Sequence, residues 1–315
     1  MIETVTGSYF NRAEVERIRE EKSREFEAMT VLDELFKLTR QYKNSAAYFE
    51  LVRFIARFRH YSPFNAMLVH IQMPGARFFN SAKRWHDKFN RLIKVAAKPL
   101  MILRPGGPIM LVYDVADTEQ DKRLPAVDIP DDFLFPFEAT GGKIENELNQ
   151  TIDNCRRDLI EVRYEHFGSQ LGGRIRQFGN ITDEVQKNWN TFSDARYLIE
   201  LSNTASRESQ FVSLLHELAH LYCGHLGTPS PEWWPDRSHL SHAVKEFEAE
   251  SVAYIACARA GLKNQSELYL AGYLQENDEI PDISFDQVIK AAFHIETMWQ
   301  RSLPPRVNKK TARQE

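Results

Sequence analysis

The chain has 315 residues, of which 43% are hydrophobic and 27% charged, and its formal net charge is −4. That composition describes a globular protein with room for one large or two ordinary domains, and it argues against bulk affinity for nucleic acid. No apolar run approaches the roughly 18 residues of a membrane span, and the segment from Met1 to Gly7 has neither the basic start nor the apolar core of a secretory signal. Cys155, Cys223 and Cys257 are scattered without a C-x-x-C, which predicts reduced thiols in a cytoplasmic protein, Cys223 being a small buried residue.

In chain order, residues 1–40 form a strongly charged segment, with a solvent-exposed helix expected over about 11–30. Residues 41–123 predict a small α+β domain. Its first helix covers about 46–60, with Phe49, Val52, Ile55, Ala56 and Phe58 as buried positions. Ser62 followed by Pro63 is a cap with proline at the first helical position, so a second helix should run to Met73 and stop at Pro74 and Gly75. Strand-like runs follow at 77–80, 92–95, 100–103 and 109–113, the last two separated by Gly106, Gly107 and Pro108 as in a hairpin.

From Arg77 to Arg104 there are eight basic residues and one acid. Lys83, Arg84, Lys88, Arg91 and Lys94 can follow a phosphate backbone while Trp85, in their midst, stacks on bases, so single-stranded nucleic acid is a candidate partner. The alternative is an ordinary sheet core with basic edges.

Residues 124–136, rich in proline and aspartate, predict a linker, 137–303 a second α+β domain, and 304–315 a polar tail. In the second domain, helical spacing over 143–160 precedes strand-like runs at 161–166, 173–178 and 196–201. Ser206 then caps a helix that carries His216, Glu217 and His220 as H-E-x-x-H. Two histidines four residues apart lie about 40° apart around a helix, so both imidazoles can bind one metal ion. Glu217 projects from the adjacent side, where it can hold a water and take its proton. That is the set a zinc peptidase needs.

A hydrolytic zinc site has three protein ligands. A third histidine in the H-E-x-x-H-x-x-G-x-x-H pattern fails by register, because Gly224 and His225 are each one residue out of place. His239 and His242 remain open, but Glu246, in a second helix-like segment, is the better candidate. Glu250 shares its face and can accept from a ligand N–H, and Glu248 points roughly opposite. His225, His239, His242, Tyr269 and Tyr273 are candidates for stabilising an oxyanion. The strand 197–201 is expected at a sheet edge, where it would pair with an extended substrate.

These residues resemble the ImmA/IrrE-type metallopeptidases and the C-terminal domain of ArdC-type anti-restriction proteins. The likeness rests on His216-Glu-Leu-Ala-His220, a spacing of about 26 residues, Glu246-Phe-Glu-Ala-Glu250-Ser-Val-Ala253, and Ser266-Glu-Leu-Tyr269-Leu-Ala-Gly-Tyr273. It implies a zincin-like metallopeptidase domain holding Zn²⁺, with Glu246 as third ligand. Tyr61-Ser-Pro-Phe-Asn65, Gln72-Met-Pro74, Trp85, Arg91, Lys94 and Val112-Tyr-Asp-Val115 are similar to the N-terminal domain of ArdC-like proteins, which implies single-stranded DNA binding. Two functions follow as expectations: a zinc-dependent intracellular peptidase acting on a protein or peptide, or a mobile-element protein that blocks or regulates by binding DNA or protein.

Overall fold

The computed structural model describes residues 45–104, 107–129, 144–166, 173–177, 195–262, 266, 269–270, 272–273, 277 and 279–306. The helix expected over 11–30, part of the linker and most of the tail lie outside the described residues. The protein is α+β, and it divides into two compact units. The smaller takes its described residues from Ile71–Ile129, the larger from Tyr42–His70 and Pro130–Glu315.

In the smaller unit, β1 (Phe79–Asn80), β4 (Gly107–Asp114) and β3 (Leu100–Arg104) form an antiparallel sheet in the order β1-β4-β3. Beside it, β2 (Arg91–Ile93) pairs with β5 (Thr118–Gln120). Of the basic run, Arg91 opens β2, and Lys83, Arg84 and Lys88 lie on a helix, α3 (Ala82–Phe89). Ser81 caps its start, and Asn90 ends it in the left-handed conformation. Its apolar residues, Trp85 and Phe89, are four apart and both buried, and Phe78 meets each ring edge-on.

The larger unit begins with α1 (Ser45–Arg57) and α2 (Pro63–Gln72), whose last residues, Ile71 and Gln72, belong to the smaller unit. It continues with α4 (Glu145–Cys155), β6 (Ile160–Glu165), β7 (Gly173–Gln177), β8 (Tyr197–Ser202), α5 (Arg207–Tyr222), α6 (His242–Ala260) and α7 (Phe285–Gln300). α5 packs on α6, and α7 packs on α4, α5 and α6. The expected 41–123 domain is therefore divided, because α1 and most of α2 are held elsewhere. Arg259 of α6, almost fully buried, makes a two-pronged pair with Glu296 of α7. It also donates to the carbonyls of Ile55 at 3.1 Å and Phe58 at 2.8 Å, at the C-terminal end of α1. Tyr48 of α1 meets Phe247 at a tilt and Phe285 edge-on, with ring centroids 5.5 and 5.6 Å apart.

The sheet order is β6-β8-β7, with β8 parallel to β6 and antiparallel to β7. This corrects the expectation that 197–201 is an edge strand. β8 is bonded on both sides and every one of its residues is buried, as a near-continuous apolar run requires. Among the described residues, β6 and β7 each have β8 as their one strand neighbour, so both are edges. β7 lies close against α5, since a Cβ on Gly173 would stand 3.2 Å from Ser213 Cβ.

Candidate metal centre

Ser206 accepts from Ser209 N–H and starts α5, and Phe211, Leu214, Leu215 and Leu218 bury one face of it. His216 and His220 lie on a half-buried face toward α6, with side chains 23% and 13% exposed. Ser241 caps α6, and Glu246 in its second turn faces them. The Nε2 atoms of His216 and His220 are 3.2 Å apart. Glu246 places Oε1 3.5 Å from His220 Nε2 and Oε2 3.9 Å from His216 Nε2. Two bonds of about 2.0–2.1 Å at a tetrahedral angle span about 3.3 Å, so the separations suit a shared Zn²⁺. One donor atom from each residue falls in a cluster no wider than 4.8 Å.

Burial drives His220 down to about 2, with His216 and His225 adding to the effect, so the ring is held in the neutral form that binds metal. Burial likewise pushes the Glu217 carboxyl up to about 7, opposed by His216 and assisted by Glu246. The Ile175 N–H of β7 donates to that carboxylate, which places the acid beside the edge strand. A carboxyl poised near neutrality can both accept and return a proton.

No family model and no solved structure matches the chain. It is similar to an uncharacterized protein of Bacillus anthracis, 22% identical over 314 residues, which covers 89% of this chain and 51% of that protein. The chain thus spans about half the length of the curated relative it matches. No helix among the described residues is long and apolar enough to cross a membrane.

The structure brings His216, Glu217, His220 and Glu246 together, and sets Glu250 Oε1 3.7 Å from His216 Nδ1, the ring atom turned from the cluster. Of the remaining candidates, His242 Nδ1 stands 3.5 Å from Glu246 Oε1 on an exposed side chain. Tyr269 is 40% exposed, and its hydroxyl is raised by burial and by Glu246 and Glu250. Tyr273 is a packing residue, edge-on to Phe247 with ring centroids 4.9 Å apart. His239 is exposed in the loop before α6.

His225 is not at the open side of the site at all. It is buried behind His220, with the two Nδ1 atoms 3.0 Å apart, and its Nε2 is 2.9 Å from Glu248. Sequence reasoning missed this pair. Glu248 accepts both prongs of Arg237, at 2.6 and 2.5 Å, and the Ser284 N–H at 2.7 Å. Burial raises the Glu248 carboxyl, but these bonds from His225, Arg237 and Ser284 outweigh it and hold it below its ordinary value. Cys223, His225 and Glu248 also gather donor atoms, but the Arg237 guanidinium already occupies the carboxylate. A cation there would compete with a bidentate ion pair.

Of the nucleic-acid candidates, Lys83, Arg84, Lys88 and Lys94 are exposed. Arg91 is half-buried and bonded to Thr118. Trp85 is fully buried and donates through Nε1 to Tyr113 O at 2.8 Å. The expectation that Trp85 stacks on bases is therefore corrected: its ring is the core of the smaller unit.

Proposed function

We propose that the protein is a zinc-dependent peptidase in which His216, His220 and Glu246 hold the metal and Glu217 is the general base and acid. The reading is carried by one observation, the convergence of the His216 and His220 Nε2 atoms and the Glu246 carboxylate on one point, next to the buried acid Glu217. A bound zinc supplies Lewis acidity for the scissile carbonyl and the attacking water. Glu217 takes the proton from that water and delivers it to the leaving amine, a transfer that a poor leaving group requires. β7, the strand edge beside Glu217, aligns an extended peptide by main-chain hydrogen bonds, so the substrate class is protein or peptide. Glu217→Gln should keep the fold and the metal and abolish hydrolysis of a peptide substrate, because an amide cannot accept the proton. Full activity in that variant would end the peptidase reading.

A second reading, contact with single-stranded DNA by the smaller unit, is favoured by Lys83, Arg84 and Lys88 exposed on α3. Binding of an oligonucleotide should then weaken with salt and with reversal of these three charges, and salt-independent or absent binding would remove it.

A further inference from the structure

The end of α5 is built from local sequence. Gly224 takes a left-handed conformation at φ +82°, its N–H bonds Leu221 O at 2.9 Å, and the His225 N–H bonds His220 O at 3.0 Å. This pair of bonds is the Schellman motif, which brings the residue after the glycine over the residue five before it. An apolar contact usually joins those two positions. Here they are His225 and the metal ligand His220, and their Nδ1 atoms meet at 3.0 Å. The register that keeps His225 off the metal is the register that places it behind His220.

The direction of this contact can be deduced from the other end. Glu248 is fully buried and paired with Arg237 at two points, so its carboxylate is ionised and only accepts. The Nε2 of His225 must then carry the proton of the 2.9 Å bond. The Arg237 guanidinium already balances the Glu248 charge, so His225 is neutral, with its lone pair at Nδ1 where it can only accept. His220 must therefore donate from Nδ1, which leaves the lone pair on its Nε2, the atom 3.2 Å from His216 Nε2.

We propose that His225, backed by Glu248 and Arg237, is a positioning residue that locks His220 in the tautomer presenting Nε2 to the metal. This rests on the metal reading above and adds a role to a residue outside the ligand set. The loop carrying Arg237 is pinned to the same turn, by Arg237 N–H on Gly224 O at 2.9 Å and Nη1 on Cys223 O at 3.0 Å. Ligand orientation and loop position are thus set by one cluster. Losing such a partner of a ligand histidine generally weakens metal affinity by about 10–100-fold.

The test uses the full chain freed of metal, titrated with Co²⁺ against a competing chelator and followed by the cobalt visible band. His225→Leu removes the acceptor, while His225→Asn keeps an oxygen that can take the His220 N–H. The expected result is about 10–100-fold weaker Co²⁺ binding in His225→Leu and recovery of most of it in His225→Asn. Equal affinity in wild type and His225→Leu, or equal weakness in Leu and Asn variants with matching thermal stability, would overturn the proposal. Should His225→Leu not fold, imidazole ¹⁵N NMR of the wild type decides: His220 protonated at Nδ1 supports it and at Nε2 overturns it. Wild type that binds no Co²⁺ would instead overturn the metal reading on which the proposal stands.

Discussion

Gly224→Ala tests the junction between α5 and the loop that returns to it. The backbone there has φ +82°, where an alanine costs about 1 kcal/mol. A Cβ would also overlap Pro235 O and stand 3.2 Å from Arg237 N, both backbone atoms that cannot turn aside. The loop must move by about 1 Å or more, and such overpacking costs a further 1–3 kcal/mol, roughly. The expected loss is about 2–4 kcal/mol in urea unfolding. Gly227→Ala is the control: φ is +75°, but its Cβ would meet only the Asp236 side chain, at 3.7 Å or more. It should lose only the conformational part, about 1 kcal/mol. Because the displaced loop carries Arg237, Gly224→Ala should also weaken metal binding, and Gly227→Ala should not. Equal destabilisation by the two alanines would refute the reasoning, since the close approach would then have no energetic weight.

Arg259→Met should destabilise the larger unit by about 3–5 kcal/mol, because Glu296 is left buried without its partner and the C-terminal carbonyls of α1 lose their donor. Adding Glu296→Leu should recover part of that loss, and urea unfolding of the single and double variants checks it. His70 is lowered to about 4, by burial first and Arg57 second, against about 6.5 in the unfolded chain. The unfolded state therefore binds more protons between those values. The stabilisation is intact above about pH 6.5 and is lost as pH falls toward 4, at up to about 1.4 kcal/mol per pH unit. His70→Phe, packed on Phe54 as the imidazole is at 4.8 Å, should flatten the stability profile over that window, and an unchanged slope would show that other groups dominate it.

Helices with strong end signals were legible. Ser62 with Pro63 and Ser206 mark the starts of α2 and α5 within a residue, because capping is local chemistry. The α+β class followed from the alternation of such helices with short β-branched and aliphatic runs. The place of β8 in its sheet was not legible, since an apolar run fits an edge or a centre until its neighbours are known. Its run Tyr197-Leu-Ile-Glu-Leu201 is nonetheless buried on both faces, the pattern of a central strand. α3 was missed because its surface is charged and only Trp85 and Phe89, spaced by four, disclose a helical face. The shared face of His216 and His220 was readable from helical spacing, whereas spacing left Glu246 one of several candidates and the family resemblance singled it out; the structure sets its Oε1 3.5 Å from His220 Nε2. His225 was not legible, although Gly224 followed by His225 five positions after His220 is a helix-ending signature that carries the information.

Metal content of the purified full chain is the most direct measure of the central claim. Elemental analysis should find about one zinc per chain in the wild type, and His216→Ala and Glu246→Ala should fold and lose it. A wild type without zinc, or full zinc occupancy in Glu246→Ala, would contradict the account.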